Sequence, residues 1–198
     1  MLSIFDTIID SYLATEVGIC DSFLDKDLCA NLILELHNKL DNNEMHKAGI
    51  GAKKMEQHDA NFRSDKIFWL DRKHGNDTEN AFLDAMDVFI QYLNSTCFAG
   101  ITHCEFHYAM YEKGNFYGKH KDQFVQNIDR AFSMIHYLNP HWQQGDGGEL
   151  NIVYKTHEQL IAPILGKSVF FKSSDLTHEV LQTNTNRLSI TGWLKTGG

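Results

Sequence analysis

The residues able to do chemistry in this chain are His120 and Asp122, with His178 and Arg187 downstream. Side chains at i and i+2 of a strand project from one face. His120 and Asp122 therefore point together if His120-Lys121-Asp122 is extended. A third donor from another strand completes a facial set, and His178 is the best candidate. Two imidazoles and one carboxylate with open positions are the donor set of non-haem Fe(II) oxygenases. Zinc more often takes three His, two His with a Glu, or thiolates, so the donor types favour iron without excluding zinc. A single carboxylate leaves residual positive charge on Fe(II). That suits an anionic 2-oxo acid chelating through two oxygens, with a position kept for O2.

A His-x-Asp alone carries little weight among eleven histidines, where two exposed strand residues near a turn are the ordinary reading. Its context adds to it. His178 lies in Thr177-His178-Glu179-Val180, after the polar run Lys172-Ser173-Ser174-Asp175. Arg187, Ser189 and Thr191 alternate with Leu188 and Ile190, which reads as a strand with one polar face. An arginine there is suited to clamping a carboxylate through two hydrogen bonds.

With these residues in place the sequence resembles the 2-oxoglutarate- and Fe(II)-dependent oxygenases, and among them the prolyl 4-hydroxylases of the HIF-prolyl-hydroxylase type and their bacterial relatives. The resemblance is carried by YEKGNFYGKHKD (111–122), IHYLNPHW (135–142), Gly147-Gly148-Glu149-Leu150, VFFKSSDLTHEV (169–180) and RLSITGW (187–193). FRSDKIFWL (62–70) and VGICDSFL (17–24) extend it upstream. It implies iron ligands at His120, Asp122 and His178, with Arg187 and Tyr137 on the distal carboxylate of 2-oxoglutarate and Thr191 and Tyr111 beside them. It also implies substrate contacts from Tyr117, Arg130 and Trp193, and from Arg63 and Asp65 next to a mobile substrate-covering loop. The stretch Gln123 to Gln126 lacks the Asn-Pro of the animal enzymes, and the loop over 46–61 keeps almost none of their sequence. Both segments shape peptide recognition.

The resemblance implies Fe(II) as cofactor, 2-oxoglutarate and O2 as co-substrates and ascorbate as an accompanying reductant. Oxidative decarboxylation to succinate and CO2 would be coupled to hydroxylation of an unactivated C–H bond. The expected substrate is a prolyl residue of a protein or peptide, hydroxylated at C4. Three other readings stand beside it: an oxygenase acting on a free amino acid or another side chain, a non-catalytic metal-binding or sensing module of the same fold, and a cupin-like metal isomerase. Intact His120, Asp122, His178 and Arg187 argue against the module, and the isomerase leaves Arg187 unexplained.

The elements that position these residues follow from periodicity. The chain of 198 residues suits one domain, with 1–100 as helical support, leading strands and lid, and 101–196 as a metal-binding core. Helices are expected over 3–14, 26–42 (Leu28, Leu32, Ile33, Leu36 and Leu40 on one stripe, Asp25 as N-cap) and from Thr78 to Ser95. Strands are expected at 17–20, 62–70, 103–111, 116–121, 131–138, 148–153, 168–172, 177–182 and 187–194. Many short strands divided by turns make the fold mainly β with supporting helices, a double-stranded β-helix or jelly roll. His136 should face away from the pocket because it alternates with Tyr137. His103 and His107 share a strand face but have no acidic partner, and are not read as metal ligands.

A net charge of −8 disfavours a nucleic-acid binder. No apolar run of ~18 residues suggests a membrane span. Cys20, Cys29, Cys97 and Cys104 are scattered without a CxxC, and with no signal peptide a reducing cytoplasm without disulfides is expected.

Overall fold

The structure, a computed structural model, describes residues 3–49, 62–123 and 128–197. Helix α1 (Ile4–Thr15) opens on a capping box in which Ser3 and Asp6 satisfy each other's backbone N–H groups. It turns Ile8 and Ile9 inward and leaves Leu13 73% exposed, so the apolar stripe is narrower than the sequence suggested. Strand β1 (Val17–Cys20) lies directly against it. A Cβ on Gly18 would meet the Ile8 carbonyl oxygen at 2.5 Å, so the helix can sit this close only over glycine.

Helix α2 (Lys26–Asp41) starts where Asp25 accepts the Leu28 N–H at 2.8 Å. Helix α3 (Asp77–Cys97) starts where Asn76 accepts the Glu79 N–H at 2.9 Å. The Asn76 amide also donates to Glu35 at 2.6 Å, which ties the start of α3 to α2. Cys29, Leu32 and Leu36 of α2 and Phe82, Met86, Phe89, Ile90 and Leu93 of α3 are buried on one side of a sheet. No described helix is long and apolar enough to cross a membrane.

The strands are β2 (His46–Lys47), β3 (Lys66–Trp69), β4 (His103–Tyr111), β5 (Tyr117–His120), β6 (Arg130–Tyr137), β7 (Leu150–Val153), β8 (Glu158–Ile161), β9 (Ser168–Lys172), β10 (Thr177–Val180) and β11 (Arg187–Lys195). They form a seven-stranded sheet, β1-β9-β6-β11-β4-β3-β2, and a four-stranded sheet, β5-β10-β7-β8, with antiparallel neighbours. From β4 onward the chain alternates between the two sheets as a jelly roll does, apart from the β7-β8 hairpin within the small sheet. Strand β3 is shorter than the expected 62–70, because Arg63 leaves this sheet to bridge Tyr117 of the other. Strand β8 was not anticipated. It is the edge of the small sheet and buries only Ile161, so it lacks a clear apolar alternation. Of the expected lid over 46–61, residues 50–61 lie outside the described residues.

Alternation gives the large sheet two faces. Phe106, Tyr108, Met110, Met134, Phe170, Leu188, Ile190 and Leu194 pack with the helices in one apolar cluster. Their in-between neighbours face the barrel interior, where Ile135, Tyr137, Val169 and Phe171 meet Leu150 and Ile152 of the small sheet.

Candidate active site

His120 ends β5 and His178 lies in β10, and the two are paired across the small sheet. Asp122 follows β5 by two residues, so one strand pairing brings all three together. His120 Nε2 lies 3.5 Å from Asp122 Oδ1 and His178 Nε2 lies 3.4 Å from Oδ2. One donor atom from each residue falls within 4.8 Å of the others. The Nδ1–H of His120 donates to the Gly118 carbonyl at 2.7 Å, and that of His178 faces the Leu176 carbonyl at 3.3 Å. These bonds fix the tautomer that presents each Nε2 lone pair inward.

Charge follows the same plan. Burial, then the neighbouring His178, pushes the pKa of His120 down, which keeps its ring neutral and able to ligate. Burial alone would raise the Asp122 carboxyl, but His178 and His120 outweigh it and hold it well below the usual carboxylate range. Ser133 of β6 donates to Asp122 Oδ2 at 2.6 Å and is itself 2.9 Å from Ser173 Oγ. Two imidazoles and an oriented carboxylate fit Fe(II).

The same pocket reaches Arg187, at the start of β11, which is 2% exposed. Its Nε donates to the Gly148 carbonyl at 2.8 Å and its Nη1 to Ser189 Oγ at 3.2 Å. Two of the five N–H donors of a guanidinium are thus used, and no described carboxylate pairs with it. Tyr111 and Tyr137 flank it, with ring centroids 4.9 and 5.1 Å from its Cζ. The Tyr137 hydroxyl is buried without a partner, and burial raises it to about 12, so it stays a donor at neutral pH. A buried cation without a counter-charge is costly. A carboxylate between Arg187 and the Tyr137 hydroxyl would satisfy both, which fits the acid end of 2-oxoglutarate.

Comparison with known proteins agrees with this geometry. Residues 106–195 match the family model of the 2OG-Fe(II) oxygenase superfamily. A Pseudomonas putida prolyl-4-hydroxylase superposes with a TM-score of 0.88 at 30% identity, over 98% of this chain and 100% of that one. The chain belongs to the 2OG-Fe(II) oxygenase superfamily. Two more distant oxygenases share its fold. A Trichoplax adhaerens prolyl hydroxylase, solved with a hypoxia inducible factor peptide fragment, gives a TM-score of 0.85 at 21% identity, over 96% of this chain and 88% of that one. The viral collagen prolyl hydroxylase of Paramecium Bursaria Chlorella virus-1, in a 2OG complex, gives 0.64 at 19% identity, over 92% and 97%. This oxygenase is therefore an Fe(II)- and 2-oxoglutarate-dependent dioxygenase that uses O2.

The other expected residues surround the same pocket. Tyr117 stacks on His120 with centroids 3.6 Å apart, and Arg63 lies over the Tyr117 ring at 4.5 Å. Arg63 is held by Asp65 through two bonds of 2.7 and 2.9 Å, with Asp65 fully buried. On the other side Arg130 lies 3.4 Å from the centre of the Trp193 ring, 3.1 Å from Glu105 and 3.4 Å from the Asp122 carbonyl. Thr191 lines the pocket, Asp65 backs Arg63, Arg130 backs Trp193, and Tyr137 flanks the pocket-lining Arg187.

Sequence reasoning passed over three participants. Ser133 could have been found, since it shares the barrel face of β6 with Ile135 and Tyr137, two and four residues on. Gly148 has φ +74° and accepts from Arg187, and a Cβ there would come within 2.9 Å of the Arg187 side chain. Nothing local to 147–150 announces that role. The third, His107, lines the pocket.

Proposed function

We propose that this oxygenase hydroxylates a prolyl residue of a protein substrate at C4. The observation that carries this reading is the similarity to the Pseudomonas putida prolyl-4-hydroxylase, which spans 98% of the chain. In this reading His120, Asp122 and His178 hold Fe(II), while Arg187 and the Tyr137 hydroxyl take the distal carboxylate of 2-oxoglutarate, with Tyr111 and Thr191 beside it. When bound, iron and 2-oxoglutarate supply an O2-dependent oxidation that yields succinate and CO2 and hydroxylates a C–H bond.

The protein's part is orientation and exclusion of water. The Gly118 carbonyl and the Ser133 hydroxyl aim the donors, and the Gly148 carbonyl and Ser189 aim Arg187. Tyr111 and Tyr137 wall the guanidinium from solvent, which strengthens its pull on an anion. Arg63, held by Asp65, and Tyr117 bound the substrate side near His120. Trp193, capped by Arg130, offers an aromatic face for an apolar pyrrolidine ring.

The test is amino-acid analysis and mass spectrometry of a proline-containing peptide library incubated with the iron-reconstituted enzyme, 2-oxoglutarate and O2. The expected result is 4-hydroxyproline in peptides sharing a flanking motif. Succinate formation with every proline left unmodified would overturn the prolyl assignment and point to a free amino acid or another side chain.

A further inference from the structure

Among the described residues, His107 is the one buried polar group of the pocket wall to which the proposed reaction assigns no task. It lies on β4, paired with Thr191 on one side and Trp69 on the other, with only 2% of its surface exposed. Its ring packs against two indoles, with centroids 4.8 Å from Trp69 and 5.7 Å from Trp193, and the two indoles are 6.2 Å from each other, so the three rings form a triangle. Its Nδ1 is buried without a partner among the described residues. Trp193 Nε1 is buried without a partner as well. Two neighbouring residues of one pocket thus each bury an unsatisfied nitrogen, and both line the space where substrate must lie.

A buried nitrogen without a partner is costly, and native structures rarely leave one so without a reason. The chemistry of the two atoms is complementary. An indole Nε1–H only donates, while a neutral imidazole offers one donor and one acceptor. Burial, then Arg63, pushes the pKa of His107 down to about 3, so the ring is neutral at any working pH. A neutral donor–acceptor pair suits an amide and is a poor match for a carboxylate or an ammonium. Along β4, His107 is also set apart from Tyr111, the residue that stands over Arg187, so the co-substrate's carboxylate already has a better partner.

Resting on the prolyl reading above, we propose that His107 is a specificity-determining residue. With Trp193 it forms a two-nitrogen station that hydrogen-bonds a backbone amide group of the substrate at or next to the target residue. A prolyl residue has a carbonyl but no N–H, so it presents acceptors where Trp193 and His107 can supply donors. The acceptor nitrogen of the imidazole is left for the N–H of a neighbouring residue.

The experiment compares wild type, His107→Phe and His107→Gln. Phenylalanine keeps a ring against the two indoles and removes both nitrogens, while glutamine keeps a donor and an acceptor without a ring. The probes are the best peptide from the proline library and 2-oxoglutarate. In His107→Phe the peptide KM should rise about tenfold, the size of one lost neutral hydrogen bond. The 2-oxoglutarate KM should change less than about twofold, and His107→Gln should recover most of the peptide KM. Nitrogen-15 NMR of the His107 ring should show a shift on adding that peptide to the wild type.

A peptide KM unmoved by His107→Phe, or a larger change in the 2-oxoglutarate KM, would overturn the assignment. So would an effect that glutamine fails to rescue, which marks the ring as packing only. If no proline peptide is hydroxylated, the prolyl reading falls by itself. The same KM comparison is then run with whichever free amino acid stimulates succinate formation, where an unmoved KM again overturns the role of His107. A wild type stimulated by neither class overturns both.

Discussion

The large sheet carries one buried histidine on each face, and they are used in opposite ways. His136 of β6 points to the helices, with ring centroids 5.3 Å from both Phe23 and Phe82 and 6.1 Å from Phe106. Its Nδ1 is 2.7 Å from Ser168 Oγ. His107 of β4 points into the barrel, against two indoles and with its Nδ1 unpartnered among the described residues. Burial pushes both down to about 3, so charge state and exposure do not tell them apart. Their surroundings do. The helix face is an apolar layer, and its own unpartnered atoms, His136 Nε2 and the Tyr108 hydroxyl, lie among packed side chains outside the pocket lining. The barrel face keeps polar groups in reserve: the Tyr137 hydroxyl, Arg187, and the His107 and Trp193 nitrogens. Where buried polar atoms lack partners together, a ligand is the physical explanation.

This contrast can be broken by substitutions on each face. The largest effect belongs to Asp122→Ala, which should abolish iron binding and bring turnover below detection, read by metal content and succinate formation, while the protein still folds. Phe82→Ala on the helix face should do the reverse. Phe82 is fully buried and meets Phe106 edge-on at 5.1 Å. Its truncation should cost about 3–5 kcal/mol in chemical denaturation and leave turnover per folded molecule intact. Stability loss from Asp122→Ala as large as that from Phe82→Ala would erase the division between the faces.

Arg187→Ala should weaken 2-oxoglutarate binding by roughly one to two orders of magnitude, as expected for lost charge-assisted hydrogen bonds. An unchanged co-substrate affinity would refute its role. Ser133→Ala should lower iron affinity by about tenfold, the lower end for removal of a group that orients a ligand; metal competition titration reads it.

The smallest effect is a pH slope in stability. Both buried histidines sit at about 3 in the folded protein against an ordinary value of 6.5. The unfolded chain therefore binds more protons between those values. Stability should be complete above about pH 6.5 and fall as pH drops below it, by about 1.4 kcal/mol per pH unit for each histidine. His136→Gln should remove one share of that slope in denaturation series between pH 7 and 5, and an unaltered slope would count against its neutral, dry state.

Much of this was legible from the chain. His120-Lys121-Asp122 is contiguous, and the strand expected at 116–121 forms as β5, which ends at His120 and leaves Asp122 in the bend that follows. Strands β4 and β9 end where their alternation ends, at 103–111 and 168–172. The outward placement of His136 followed from its alternation with Tyr137. Contacts made across sequence were not legible. The bond from Ser133 to Asp122 and the Gly148 carbonyl that aims Arg187 depend on register between strands distant in sequence. His107 was set aside because it lacked an acidic partner, which answers the question of metal ligation and leaves substrate binding unasked. Strand β8 escaped because an edge strand that buries one residue carries almost no periodic signal.

The most direct test of the central claim is succinate formation by iron-reconstituted protein with 2-oxoglutarate and O2, with and without the proline peptide library. The account predicts peptide-stimulated succinate, matched mole for mole by hydroxylated proline, and lost in Asp122→Ala. No succinate from iron-loaded protein, together with no 2-oxoglutarate binding, would contradict it and reduce the barrel face to a non-catalytic metal site.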